Sequence, residues 1–373
     1  MSGILVDRDL TARLGTWVRP APGAPAVEPR QVQPASLDLR LGPVAHRVRA
    51  GFLPEAAPLD RRLQELSTST VPLEHGGGVL EKGLVYLVPL EEELDLPADV
   101  QARFNPRSST GRCDVFTRVL VPGHPRFDEA PPGYSGRLWL EVAPLSFPVR
   151  LSRGDRLAQL RLSRGDGAVT RDELIAHHEE TPLAFDGPRA LTTDELLFDD
   201  DGSLALRIGL EGREPCGFRA AAHTDVLRFA SEEHHDADEF WEPLSLRKGP
   251  CILAPGHFYI FASRERLRIP PGLAAEMLPI DVGIGELRNN YAGFFDPGFG
   301  CALPDEDGDH GTPAVLEVRA HDVPFLIEDG QVFFRLRFFR TDGTPDKLYG
   351  QGRRSQSYRA QDLTLARAFR RRD

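Results

Sequence analysis

Cysteine is scarce in this chain. Four residues in 373, Cys113, Cys216, Cys251 and Cys301, are scattered with no CxxC pair among them. That spacing argues against a disulfide scaffold or a structural zinc site, and it fits a reducing, cytoplasmic compartment. Long apolar runs are missing too. No stretch approaches the roughly eighteen residues of a membrane helix, and the opening Met1-Ser2-Gly3-Ile4-Leu5-Val6-Asp7 has no basic leader or long apolar core, so spanning and secretion are both disfavoured. Positive charge is in deficit: the formal balance is −11 with a pI near 5.5. A nucleic-acid groove binder is therefore not expected, while a local basic pocket for a small anion stays compatible. Segments of helical period are few.

Turn-formers, by contrast, abound. The 35 glycines and 32 prolines separate short apolar runs rich in β-branched and aromatic residues, which predicts a mainly β fold of short strands. The length suggests two or three domains, each able to bury a core. A short helix is expected over Val6–Leu14, capped by Asp7, and a Pro-rich stretch runs to residue 34. Ser36–Gly42 alternates with period two and predicts a strand with its leucines inward. Residues 43–80 are loop-rich, and no element is assigned there. Further strands are expected at Leu84–Leu90, Val115–Val121, Arg137–Val142, Phe147–Leu151 and Arg156–Leu162, the last two joined by the turn Ser152-Arg153-Gly154-Asp155.

The pattern then recurs. Ser203–Gly209 echoes Ser36–Gly42, Leu267–Glu276 echoes Leu94–Arg103, Val315–Val318 echoes Trp139–Val142, and Val323–Gly330 echoes Phe147–Gly154. The order is kept at offsets of about 167 to 176 residues. Two copies of one β domain follow, at 1–165 and 201–345, separated by an acidic linker at 166–200 with a helix over Arg171–Glu180. A tail at 346–373 is a candidate lid.

Chemistry concentrates in the first copy. Arg107-Ser108-Ser109-Thr110-Gly111-Arg112 brackets three hydroxyls and a glycine with two guanidiniums, a composition that offers an anion fork donors, hydroxyls and main-chain N–H groups together. It lacks the Gly-Lys-Ser/Thr order of a Walker loop. The corresponding Ile280-Asp281-Val282-Gly283-Ile284-Gly285 of the second copy has no cation. Downstream, Glu141 sits among apolar neighbours Trp139, Leu140 and Val142, a candidate general acid/base. Glu317 occupies the matching slot and reads as structural. A zinc-dependent alternative would draw on His177-His178-Glu179 and Pro215-Cys216, but position 219 is arginine where that signature needs a second cysteine.

These segments resemble the dCTP deaminases of the dUTPase superfamily over most of the chain. Asp7-Arg8-Asp9-Leu10 is similar to that family's opening helix, and Gln33–Gly42 to its first-strand motif. Arg107–Arg112 resembles its Arg-Ser-Ser-x-x-Arg segment, and Pro132–Gly136 followed by Leu140-Glu141 its turn and catalytic strand. Ala292–Phe299 is similar to a second version of that turn, and Lys347, Tyr349 and Gln351 to the tail that closes over the nucleotide. The resemblance implies two tandem dUTPase-like distorted β-barrel or jelly-roll domains with a few short helices. It also implies hydrolytic deamination of dCTP to dUTP and ammonia, at a cyclic amidine C–N bond, with no metal ligand in the protein and Mg²⁺ arriving only with the triphosphate. By the same resemblance Glu141, Ser108 and Arg112 are catalytic, the latter two orienting water and holding the carboxylate. Arg107 and Ser109 face phosphates, and Arg126, Asp128, Trp139, Leu140, Asp296, Lys347, Tyr349 and Gln351 bind substrate. A homotrimer is implied, with dUTP and dTTP as further candidate ligands and no nucleic acid or membrane as partner. Val121–Pro131 is longer than the family's base-lining segment. A dUTP diphosphatase, a bifunctional enzyme giving dUMP, and a nucleotide-binding regulator without turnover stay open as alternatives.

Overall fold

Short strands follow one another through a computed structural model that describes residues 2–55, 57–278, 287–289, 293–302, 310–320, 322–351, 358 and 362–370. The described chain is mainly β and divides into two units. The first takes residues 1–166, 222–239 and 366–373, the second 167–221 and 240–365.

In the first unit, one sheet runs in the order Ser67–Pro72, Val44–Val48, Val85–Asp95, Ser135–Pro144, Val115–Leu120. A second sheet sets Ala158–Arg164 against Val100–Pro106, with Leu37–Leu39 and Gly3–Ile4 also on Ala158–Arg164. Alternation places Leu37, Leu39, Leu87, Leu160 and Leu162 in the core, all buried. Glu92 is also buried, because the Val85–Asp95 strand bulges. Opposite Arg137 and Trp139 the register slips from Glu93 to Pro89, and Leu90 pairs instead with Leu41. Pro89 has no N–H to give a ladder, and a bulge is where a sheet tolerates it. Within the bulge Glu92 accepts from Arg40 main-chain N at 2.8 Å and Arg40 Nε at 2.6 Å.

The second unit repeats this device. Its Phe258–Leu267 strand slips register between Ala262 and Arg266 against Thr312–Ala320. The buried Glu265 accepts from Arg207 N at 2.8 Å and Arg207 Nε at 2.5 Å. Tyr86 and Tyr259 match as well, each hydroxyl accepting a main-chain N–H, from Glu81 and Ala254. A shared buried ion pair at a shared bulge is physical evidence of duplication, since two unrelated sheets have no reason to bury the same charge in the same place.

Several expectations need correction. Asp7 is the first helical residue of Asp7–Ala12 rather than its cap, and its carboxylate accepts the N–H of Arg8. Residues 43–80 include the helix Leu59–Leu66. The expected linker is no linker: Val169, Leu174, Leu183, Leu191 and Leu196 enter the core of the second unit. Its helix Arg171–Glu180 is held by a capping box between Thr170 and Glu173. Residues 222–239 return to the first unit, where Leu227–Arg228 pairs in parallel with Val149–Leu151.

Candidate active site

Glu141 lies mid-strand in Ser135–Pro144, with Leu87 opposite it on one side and Arg118 on the other. Alternation sends Trp139 and Glu141 to one face and Leu140 to the other. On the Glu141 face, Val48, Leu59, Leu87, Leu120 and Trp139 form a small apolar cluster, with Phe52 and Phe127 packed against it. The carboxylate is almost wholly buried, at 2% exposure. Arg118 donates to its Oε1 from Nε at 3.0 Å and from a terminal nitrogen at 2.5 Å. The same guanidinium lies over the Phe127 ring at 3.9 Å, a cation–π contact that fixes its approach. Oε2 is buried with no hydrogen-bond partner. A buried carboxyl oxygen in that state costs free energy unless something else bonds to it, so the arrangement suits a water or a ligand group at Oε2. Gly51 comes so close to Oε2 that a methyl group there would overlap it.

Asp128 joins this group from the loop before the strand. Its backbone is left-handed, with φ of 59°, and its Oδ1 accepts Val119 N at 2.7 Å. Burial pushes its carboxyl up to about 7, against the pull of the Val119 N–H and of Arg118 and with help from Glu141 and Glu129. Two carboxyls and one guanidinium thus share a small, partly buried region.

The phosphate-like segment forms a single helical turn, Ser108–Gly111, after the Val100–Pro106 strand. Arg107 is ion-paired with buried Asp38 at 3.0 Å and donates to Arg156 O at 3.2 Å. Ser108 is exposed, Ser109 and Thr110 are buried, and Arg112 is buried at 3% exposure. The main-chain N–H groups of Thr110, Gly111 and Arg112 are spent on carbonyls of the same turn. Those three main-chain groups are therefore committed within the turn, and the side chains of Arg107 and Ser108 keep exposed surface. Thr110 is likewise committed, its hydroxyl donating to Leu157 O at 2.7 Å.

Family comparison decides which family the chain belongs to. A model described as the N-terminal domain of 2'-deoxycytidine 5'-triphosphate deaminase matches residues 2–166, and one for the C-terminal domain matches residues 170–369. The chain belongs to the dCTP deaminase family. A dUMP-forming dCTP deaminase from Halobacterium salinarum is 32% identical over 197 residues, 50% of this chain and 93% of that one. A dCTP deaminase from Natronomonas pharaonis is 34% identical over 164 residues, 42% and 78% of the two chains. The crystal structure of 2'-deoxycytidine 5'-triphosphate deaminase from Agrobacterium tumefaciens superposes with a TM-score of 0.82 at 43% identity, covering 91% of this chain and 99% of that one.

Within this dCTP deaminase fold, Glu141, Trp139 and Asp128 come together. Ser108 and Arg112 do not join them: no hydrogen bond or ion pair links either to Glu141, and Arg118 holds the carboxylate in the position expected of Arg112. Leu140 is fully buried on the opposite face, so its side chain serves the core. Arg126 is exposed and 3.8 Å from Glu129. In the second unit, Tyr349 N donates to Pro297 O at 2.9 Å and the Phe299 and Tyr349 rings lie 5.6 Å apart, so the segment of Lys347, Tyr349 and Gln351 packs on the turn begun by buried Asp296. Gln351 turns back to accept Leu348 N at 2.8 Å. Residues 280–285, the second copy's counterpart of the phosphate segment, lie outside the described residues. His178, from the zinc-like stretch, spends both ring nitrogens on the main chain of Leu183 and Leu191. Arg118 and Gly51 were not legible as site residues, because strand register and an aperiodic loop bring them to Glu141. Asp38 had one available signal: the second copy has Ala205 in its place.

Proposed function

We propose that the chain hydrolyses dCTP at C4 of the base, releasing ammonia and leaving dUTP, as a hydrolase acting on a cyclic amidine C–N bond. The observation that carries this is the divided state of Glu141, one oxygen held by Arg118 and the other buried without a partner. Oε2 takes a proton from water as the water oxygen bonds to C4, and passes that proton to N3. The carboxylate then takes the second proton from the new C4 hydroxyl and delivers it to the amino nitrogen, so that C4=O forms as the C4–N bond breaks and ammonia leaves. Proton transfer of this kind supplies roughly 10²–10⁴-fold. Arg118 acts as a positioning residue that keeps Oε2 turned to the reacting carbon. Trp139 and Asp128 border the base, with Arg126 on the loop beside them.

Arg107 and Ser109 are assigned to the triphosphate, which carries Mg²⁺ with it, and Ser108 and Arg112 to ordering the attacking water. Because no bond joins that segment to Glu141 within the chain, the reading includes a homo-oligomer, a trimer by the superfamily's habit, in which one copy's segment faces another copy's carboxylate. Asp296, Lys347, Tyr349 and Gln351 are assigned to the sugar side and lid. The four cysteines are all thiols, three of them buried, which supports a reducing, cytoplasmic setting. A second reading, in which dUTP is carried on to dUMP and pyrophosphate, is favoured by the dUMP-forming relative and by the near-neutral Asp128. Incubation with dCTP and Mg²⁺, with ammonia and pyrophosphate measured separately, tests both. Ammonia alone supports the first reading, ammonia with matching pyrophosphate the second, and neither product overturns them.

A further inference from the structure

Residues 366–370 belong to the first unit although the chain has by then traversed the second. Ala366, Ala368 and Phe369 are buried. Main-chain bonds run from Glu233 N to Arg367 O at 2.8 Å, from His234 N to Ala368 O at 3.0 Å, and from Arg370 N to His235 O at 2.9 Å. The rings of Phe369 and His235 lie 6.2 Å apart. The segment is thus a fixed strap, with Arg367 projecting between two buried alanines. One terminal nitrogen of Arg367 donates to Ser109 Oγ at 3.2 Å, and the other lies 3.9 Å from half-exposed Glu232.

We infer that Arg367 is a phosphate-binding residue of the nucleotide site, a third guanidinium for the Arg107–Arg112 segment. This rests on reading that segment as the grip for dCTP. Arg107 is already partly neutralised by Asp38, so further positive charge strengthens the segment's pull on a triphosphate, and Arg367 supplies it while bonded to one of the segment's hydroxyls. A serine oxygen that accepts from a guanidinium becomes a stronger donor through its own proton, and a phosphate oxygen is the acceptor that this charge selects. The side chain keeps 22% exposure, enough to meet a ligand while its stem stays packed.

The test uses the full chain and two variants, Arg367→Ala and Arg367→Lys. Calorimetry with inorganic tripolyphosphate reads the grip without any turnover, and steady-state assays give KM and kcat for dCTP. Arg367→Ala is expected to weaken tripolyphosphate binding about tenfold or more, the range for a hydrogen bond to a charged group. KM should rise by a similar factor, with kcat and the ligand-free melting temperature unchanged, and Arg367→Lys should recover part of the loss. Tripolyphosphate binding unaltered by Arg367→Ala, no binding by the unsubstituted chain, or parallel losses of kcat and ligand-free melting temperature in both variants would overturn the inference. A chain that binds tripolyphosphate through Arg367 yet releases no ammonia from dCTP would remove the deaminase reading while leaving Arg367 its anion.

Discussion

At the scale of single residues, the account turns on how little room surrounds Glu141 Oε2. Gly51 has exposed surface, yet it packs against that oxygen, so Gly51→Ala should act on chemistry more than on folding. Overpacking of about 1–3 kcal/mol at the reacting group predicts a loss of tenfold or more in kcat/KM for dCTP, with a melting temperature close to that of the parent. Full activity would mean that the loop moves away in solution. Asp128 gives a pH signature. Its folded carboxyl, at about 7, lies above the 3.8 of an unperturbed aspartate, so between those two values the folded state holds a proton the unfolded state has lost. Stability from this group is greatest at the acidic end and falls as pH rises toward 7. Asp128→Asn keeps an oxygen for Val119 N and removes the titration, so its melting temperature should decline less than the parent's across that window; identical profiles would refute the assignment. Glu141 was readable because a carboxylate in an apolar strand stands out. Arg118 was not, since only the register of two strands twenty-three positions apart in sequence makes it Glu141's partner.

At the scale of elements, the repeated bulge is the most informative feature. Arg40 and Glu92 form a buried pair on one bulge, and Arg207 and Glu265 form its counterpart. Truncating one partner strands the other's charge in the interior, which costs about 3–5 kcal/mol. Arg40→Met and Arg207→Met should therefore each lower the denaturation midpoint in urea, followed by tryptophan fluorescence. A shift of less than about 1 kcal/mol in both would mean that water reaches the glutamates. Period-two strands were legible within a few residues. The strand expected over Arg156–Leu162 begins instead at Ala158, because Asp155 folds back on Ser152 N and Leu157 O is taken by Arg107 N. The helix Leu59–Leu66 was missed among the turn-formers of residues 43–80, where its apolar contacts are with the strand face carrying Trp139.

For the molecule as a whole, duplication could be read from ordered echoes, and the two bulges give those echoes a structural cause. The exchange of segments between units could not. Nothing in the composition of residues 222–239 or 366–370 marks them as part of the first unit, because pairings such as Val149 with Leu227 are long-range and obey register alone. The asymmetry of the copies was read at Arg107–Arg112 against Ile280–Gly285, and the structure adds a second difference, a buried Asp38 carboxylate paired with Arg107 in one copy where Ala205 has a methyl in the other. The whole arrangement supports a division of labour in which side-chain cations hold the nucleotide and one oxygen of Glu141 moves the protons. The most direct test is Glu141→Gln, assayed for ammonia release from dCTP alongside nucleotide binding by calorimetry. The account predicts that kcat falls by at least about 10²-fold while affinity for dCTP stays within a few-fold of the parent; undiminished ammonia release would contradict it.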